Sequence, residues 1–118
     1  MLTLYGIPNC DTVKKARAWL EAQGVPYAFH DYKKQGVDRV RLEAWVREHG
    51  WETVLNRAGT TFRRLDPRRT RDLDAAQAIA LMVEHPSSIR RPVAVDGART
   101  WVGFQPEVYA AAFGRARG

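Results

Sequence analysis

A strand, a helix and a second strand fit into about the first thirty residues, the length of one βαβ unit. Near the other end, an Asp96-Gly97 turn joins two short apolar runs, and a helix follows them. Helical patterns fill the chain between. These three observations predict an α/β chain whose outer elements run βαβ…ββα, the element order of a thioredoxin-like fold. A helical insertion over about residues 38–86 lies between the two halves, within one domain spanning 1–118.

Each element has a local cause. Leu2-Thr3-Leu4-Tyr5 is short and apolar and runs into Gly6 and Pro8, so it reads as a buried strand ended by a turn. Asp11 or Thr12 stands where it can cap a helix to about Gln23. Val13, Ala16 and Leu20 recur at helical spacing with Trp19 widening the face, while Lys14, Lys15, Arg17 and Glu21 face water. Gly24 and Pro26 stop this helix. Residues 27–32 alternate aromatic with small or polar side chains, a strand pattern, and the helix before them makes that strand parallel to the first.

Residues 33–36 read as a polar turn. Asp38 caps a helix to about His49 with Leu42, Trp45 and Val46 on one face, and Gly50 ends it. Residues 51–55 add another helical turn, 56–59 a loop, and 60–65 fit either a helix or an extended piece. Asp66-Pro67 begins a turn. Asp74 opens a helix with Ala75, Ala78, Ile79, Met82 and Val83 on the buried stripe, ended by His85-Pro86. Val93-Ala94-Val95 is a strand, residues 100–104 are its antiparallel partner, and Pro106 starts a last helix through Phe113. Residues 114–118 form a frayed tail.

A chain of 118 residues buries roughly two-thirds of its unfolded surface, so the core needs no disulfides. With 45% hydrophobic and 27% charged residues it belongs with ordinary globular domains. No basic segment followed by a long apolar run opens it, and no run approaches a membrane span, so a soluble, cytoplasmic protein without membrane contact is expected. The single cysteine leaves no internal disulfide and no cysteine-based zinc site, which fits a reducing compartment. His30, His49 and His85 lack ligand spacing, so no metal is expected. The net charge of +6 is mostly arginine. Its densest stretch, Arg63, Arg64, Arg68, Arg69 and Arg71, has no interleaved stacking aromatics and reads as a solvated surface partly neutralised by Asp66, Asp72 and Asp74.

The chemistry concentrates at Cys10, which lies between the first strand and the first helix. The first N–H groups of a helix lack intrahelical partners, and with the helix dipole they favour a thiolate or an oxyanion beside it. The alternative is a small buried apolar residue, the commoner fate of a free cysteine. Asn9 and Thr12 suit hydrogen bonding to the sulfur or a substrate, and equally suit turn formation and capping. From the residues alone, Arg91 fits a substrate contact or a structural ion pair.

Leu-Tyr-Gly-Ile-Pro-Asn-Cys-Asp-Thr at 4–12 resembles the active-site loop of the ArsC-type arsenate reductase family, and most closely its Spx/YffB-like branch. Phe29-His30-Asp31-Tyr32, Leu55-Asn56 with Gly59-Thr60-Thr61, and His85-Pro86 leading to Ile89-Arg90-Arg91-Pro92 agree in order and spacing. The resemblance implies a thioredoxin-like fold and a nucleophilic Cys10 at the start of the first helix. It implies Arg91 as an oxyanion contact, a cis Arg91-Pro92 bond that shapes the site, and Arg57 as a second cation shifted by about one residue. Asn9 and Thr12 complete the implied substrate-binding set.

The implied activity is a thiol-dependent reductase acting on an oxyanion or an oxidised thiol. It uses no bound cofactor and takes glutathione as reductant, with glutathione or glutaredoxin as partner. Two departures qualify the substrate. Phe104-Gln105 stands where the arsenate reductases carry a third arginine, and Cys10-Asp11-Thr12-Val13 lacks a second cysteine, so an outside thiol must resolve an oxidised Cys10. The alternative is an Spx-like regulatory protein that binds RNA polymerase without catalysis.

Overall fold

A computed structural model describes residues 1–114, so the tail expected at 114–118 falls, but for its first residue, outside the described residues. In chain order the first elements are β1 (Leu2–Gly6), α1 (Asp11–Ala22), β2 (Tyr27–Asp31), α2 (Tyr32–Gln35), α3 (Arg39–His49) and α4 (Trp51–Val54). They are followed by α5 (Thr60–Arg63), α6 (Pro67–Thr70), α7 (Ala75–Glu84), a 3-10 turn (Pro86–Ser88), β3 (Val93–Asp96), β4 (Arg99–Val102) and α8 (Pro106–Phe113). They group into two compact units, one holding Met1–Asp31 with the chain from Arg91 onward, the other Tyr32–Arg90.

The first unit is built on a four-stranded sheet in the order β2-β1-β3-β4. β1 runs parallel to β2 and antiparallel to β3, and β3–β4 is the expected hairpin, its turn one residue later than expected at Gly97-Ala98 because Asp96 pairs with Arg99. With ladders on both sides, β1 has no edge, which is why it reads as a nearly continuous buried run. Leu2, Leu4 and Ala94 pack with Ala16 and Leu20 of α1 and Tyr109 and Phe113 of α8. The Tyr109 ring meets Trp19, Phe104 and Phe113 edge-on at centroid distances of 5.9, 4.8 and 5.2 Å, an arrangement favoured by the ring quadrupoles. Trp101 is partly buried in the same core, 4.8 Å from Phe113.

Arg17 and Glu21 do not simply face water. Arg17 Nε donates to the Tyr27 hydroxyl at 3.0 Å, and that hydroxyl donates to Glu21 at 2.7 Å. The guanidinium also lies 4.2 Å over the Phe29 ring. Helical spacing marks both residues as polar, but β2 brings two aromatic rings beside them, and these charges tie α1 to its strand.

In the second unit α3 packs against α4 and α7, with Leu42, Trp45 and Val46 buried as their spacing requires. The buried residues of α7 are Ala78, Ile79, Leu81 and Met82; Ala75, in the first turn, is exposed. Residues 53–56 are stitched to the segment after α7. Leu55 and Ile89 form an antiparallel bridge, Asn56 N–H donates to Ser88 O at 2.8 Å, and Arg90 N–H donates to Val54 O at 2.7 Å. Arg90 Nε adds a bond to Thr53 O at 2.9 Å. Ser88 is buried, and its hydroxyl is satisfied by His85 O at 2.7 Å.

The ambiguous stretch 60–65 contains one helical turn, α5, whose Thr61 hydroxyl bonds to that of Ser87 at 2.8 Å. The polar turn at 33–36 is a helical turn too, beginning at the buried Tyr32 where β2 ends. In the basic stretch Arg68 pairs with Asp66 at 3.0 Å and Arg69 pairs with Glu84, all exposed. Among the described residues Asp74 pairs with no arginine there, and it has a structural task. Its carboxylate accepts from Gln77 N–H at 2.8 Å while the Gln77 side chain accepts from Asp74 N–H at 3.2 Å, a capping box that starts α7.

Asp74→Ala removes the carboxylate half of that box and leaves the Asp74 N–H that donates to Gln77. It is expected to lower unfolding stability by about 1 kcal/mol, read as a shift in a urea midpoint, while Asp74→Asn retains most of it. An unchanged midpoint for Asp74→Ala would show that the cap contributes nothing.

Candidate active site

The site begins with the turn between β1 and α1. Cys10 N–H donates to Ile7 O at 3.2 Å, closing a four-residue turn with Pro8 and Asn9 as its exposed central residues. Lys14 N–H then donates to Cys10 O at 2.9 Å, the first bond of α1. Cys10 itself therefore holds the N-cap position, in extended backbone (φ −109°, ψ 129°). Asp11 and Thr12, the expected caps, are the first two residues of the helix, both exposed. The turn closes one residue earlier than a capping carboxylate or hydroxyl would need.

An N-cap side chain projects toward the unpaired N–H groups of the first turn. The Cys10 thiol makes no complete capping bond, but the N–H groups of Val13 and Thr12 are aimed at its sulfur. Arg91 arrives from the other direction and donates its guanidinium to the same sulfur. Partial burial pushes the thiol up. The Val13 N–H, the Arg91 guanidinium and the Thr12 N–H together outweigh it, and Cys10 is held below the ordinary thiol value.

Strand register explains why Arg91 reaches the site. β3 is antiparallel to β1 with Val93 opposite Tyr5, so the residues before Val93 lie beyond Tyr5, beside the turn that carries Cys10. The Arg91-Pro92 bond is cis, as expected from the resemblance, and Pro92 O accepts from Gly103 N–H at 2.7 Å.

Among the expected site residues, the fold thus brings together Cys10, Arg91 and the main chain of Thr12, with Pro92 next to Arg91. Asn9 is exposed at the turn. Arg57 belongs to the second unit, where it is exposed with its guanidinium 5.3 Å over the Trp51 ring. It follows Asn56, whose side chain accepts from Ala58 N–H at 3.3 Å and turns the loop. Sequence reasoning missed the Val13 N–H because a main-chain donor has no residue signature; its only signal was a cysteine immediately before a helix. Among the described residues no group of three His, Cys, Asp or Glu side chains is placed to hold a metal ion, and no helix is long and apolar enough to cross a membrane.

Residues 5–112 match the model of the ArsC family. A solved structure of the YffB (PA3664) protein is 59% identical, covers 96% of this chain and 99% of its own, and superposes with a TM-score of 0.93. An arsenate reductase (ArsC) related protein from Brucella melitensis is 50% identical over 93% of this chain and 92% of its own, with a TM-score of 0.75. The global transcriptional regulator Spx of Listeria innocua is 30% identical over 91% of this chain and 82% of its own. The sheet order, the cysteine at the helix start and the cis Arg91-Pro92 bond agree with a thioredoxin-like fold, and this chain belongs to the ArsC family.

Proposed function

We propose that the protein is a thiol-dependent reductase in which Cys10 is the nucleophile and glutathione the reductant. The observation that carries this reading is the Cys10 sulfur at the start of α1, faced by two N–H groups and the Arg91 guanidinium, and held below the ordinary thiol value. A thiolate, not a thiol, attacks an oxidised sulfur. With a glutathione mixed disulfide as substrate, the Cys10 thiolate attacks the glutathione sulfur. The S–S bond breaks, its electron pair leaves with the substrate thiolate, and Cys10 carries the glutathione. A second glutathione thiolate then attacks that bond, releasing glutathione disulfide and regenerating Cys10. No second cysteine exists in the chain to compete with this step.

Arg91 serves twice in this scheme, favouring the thiolate before attack and binding an anionic group of the substrate or an oxyanion during it. Asn9 and Thr12 are the candidate hydrogen-bonding residues for the substrate. Arg57 is the candidate second cation for an extended anionic substrate. The shifted place of Arg57 and the loss of the third arginine favour oxidised thiols over arsenate as substrate.

A second reading rests on the Spx relatives. By that resemblance the chain would act as a binding protein on RNA polymerase. The single cysteine argues against a redox-switched version of it, because no disulfide can form within the chain.

The midpoint of Cys10 alkylation by iodoacetamide is expected to lie below that of a free thiol, about 8.5. Because the folded group is the stronger acid, alkylation at pH 7 should outpace that of free cysteine and slow only as pH falls through the folded value. Arg91→Ala should raise the midpoint and slow alkylation at pH 7 roughly three- to tenfold, with Arg91→Lys between; a free-thiol titration in the unmodified chain would refute the primed nucleophile.

Incubation with glutathione disulfide is expected to add one glutathione by mass to the native chain and none to Cys10→Ser. Cys10→Ser should also abolish glutathione-coupled reduction of a mixed disulfide. Persisting turnover in that variant would end the reading. For the second reading, immobilised protein should retain the C-terminal domain of the polymerase α subunit at low salt, and a flow-through indistinguishable from a blank column removes it.

A further inference from the structure

β1 ends in Gly6, and the commonest reason for a glycine, a left-handed backbone, does not apply there. Its φ lies outside the left-handed region, unlike those of Gly24, Gly36, Gly50, Gly97 and Gly103, so an L side chain could adopt its backbone. It is also buried, and a glycine within a strand is less favourable than alanine. What remains is close approach. A Cβ on Gly6 would lie 2.8 Å from Val13 Cγ2 and 3.3 Å from Cγ1, but 3.6 Å from Val13 Cβ, an ordinary contact. Val13 cannot swing aside, because it is fully buried and a β-branched side chain in a helix has one strongly preferred rotamer. Relief would have to come from the helix itself, moving its first turn away from the strand.

Val13 is also the residue whose N–H faces the Cys10 sulfur. We infer that Gly6 is a positioning residue for the Cys10 thiol: its bare Cα lets Val13 seat against the end of β1, and that seat holds the first turn of α1 with the Val13 and Thr12 N–H groups aimed at the sulfur. The turn of residues 7–10 connects the two ends of this contact, so a displaced helix start cannot carry Cys10 with it unchanged. This rests on the reading of Cys10 as a primed thiol and adds the element that keeps it primed.

The experiment measures the pH profile of iodoacetamide alkylation for the native chain, Gly6→Ala, Val13→Ala and the double variant, with circular dichroism as the check on folding. Gly6→Ala is expected to raise the midpoint and slow alkylation at pH 7 roughly threefold or more. Val13→Ala, which loosens the seat, should raise it by a smaller step. The double variant should match Val13→Ala, since the added methyl then meets only a Cβ at ordinary distance. A folded Gly6→Ala with the native midpoint overturns the inference. If Gly6→Ala does not fold, Val13→Ala with the native midpoint overturns it, as does a double variant that also fails to fold. A free-thiol midpoint in the native chain would instead sink the underlying reading of Cys10, so the two failures are distinguishable.

Discussion

Antiparallel pairing of the end of β1 with the start of β3 is the constraint on which the thiol's surroundings depend. Tyr5 lies opposite Val93. From that pair the chain leaves β1 through Gly6 and Ile7 toward Cys10, and it enters β3 through Arg91 and Pro92. Were β3 parallel to β1, Arg91 would lie at the opposite end of the sheet, far from the only cysteine. The register also matters, because a slip of one residue would turn Val93 and its neighbours to the other face. The buried residues on both strands, Leu4 and Tyr5 against Val93 and Ala94, make such a slip costly.

On this frame the sulfur meets donors of two kinds. The N–H groups of Thr12 and Val13 belong to the helix backbone and persist in any sequence that keeps the helix start in place. Arg91 is a side chain and can be changed alone. Burial opposes the thiolate and the donors favour it, with the donors prevailing. A thiol balanced in this way responds to small displacements of the helix start, which is why a methyl-sized contact between Gly6 and Val13 bears on its chemistry.

The second unit shows a different economy of contacts. Its short helical turns are too small to be stable on their own, since isolated helices of this length are marginal in water. They are held by main-chain bonds between distant loops, residues 53–56 to 88–90, and by the Thr61–Ser87 hydroxyl pair. The arginines that dominate its composition are partly engaged with acidic neighbours, Arg68 with Asp66 and Arg69 with Glu84, and Arg57 with the face of Trp51. Exposed pairs of this kind contribute little stability. They hold arginine side chains in place and lower the free positive charge of the surface.

What the sequence determined by itself was the order of the elements and the chemistry that punctuates them. Alternation and helical spacing are local properties, so the parallel βαβ unit, the β3–β4 hairpin, the Asp38 and Asp74 helix starts and the Pro106 start could all be read from neighbouring residues. The family's loop and its Arg91-Pro92 motif were equally legible as words. Tertiary structure decided which residue caps α1, because that depends on where the Ile7–Cys10 turn closes and not on which side chain caps best. It decided that Arg17 and Glu21 bind Tyr27 instead of water, because β2 lies beside them. It also decided that Gly6 must be bare and that Arg91 faces Cys10. Those facts belong to distances between a strand and a helix and between two strands, and sequence periodicity carries no record of such distances.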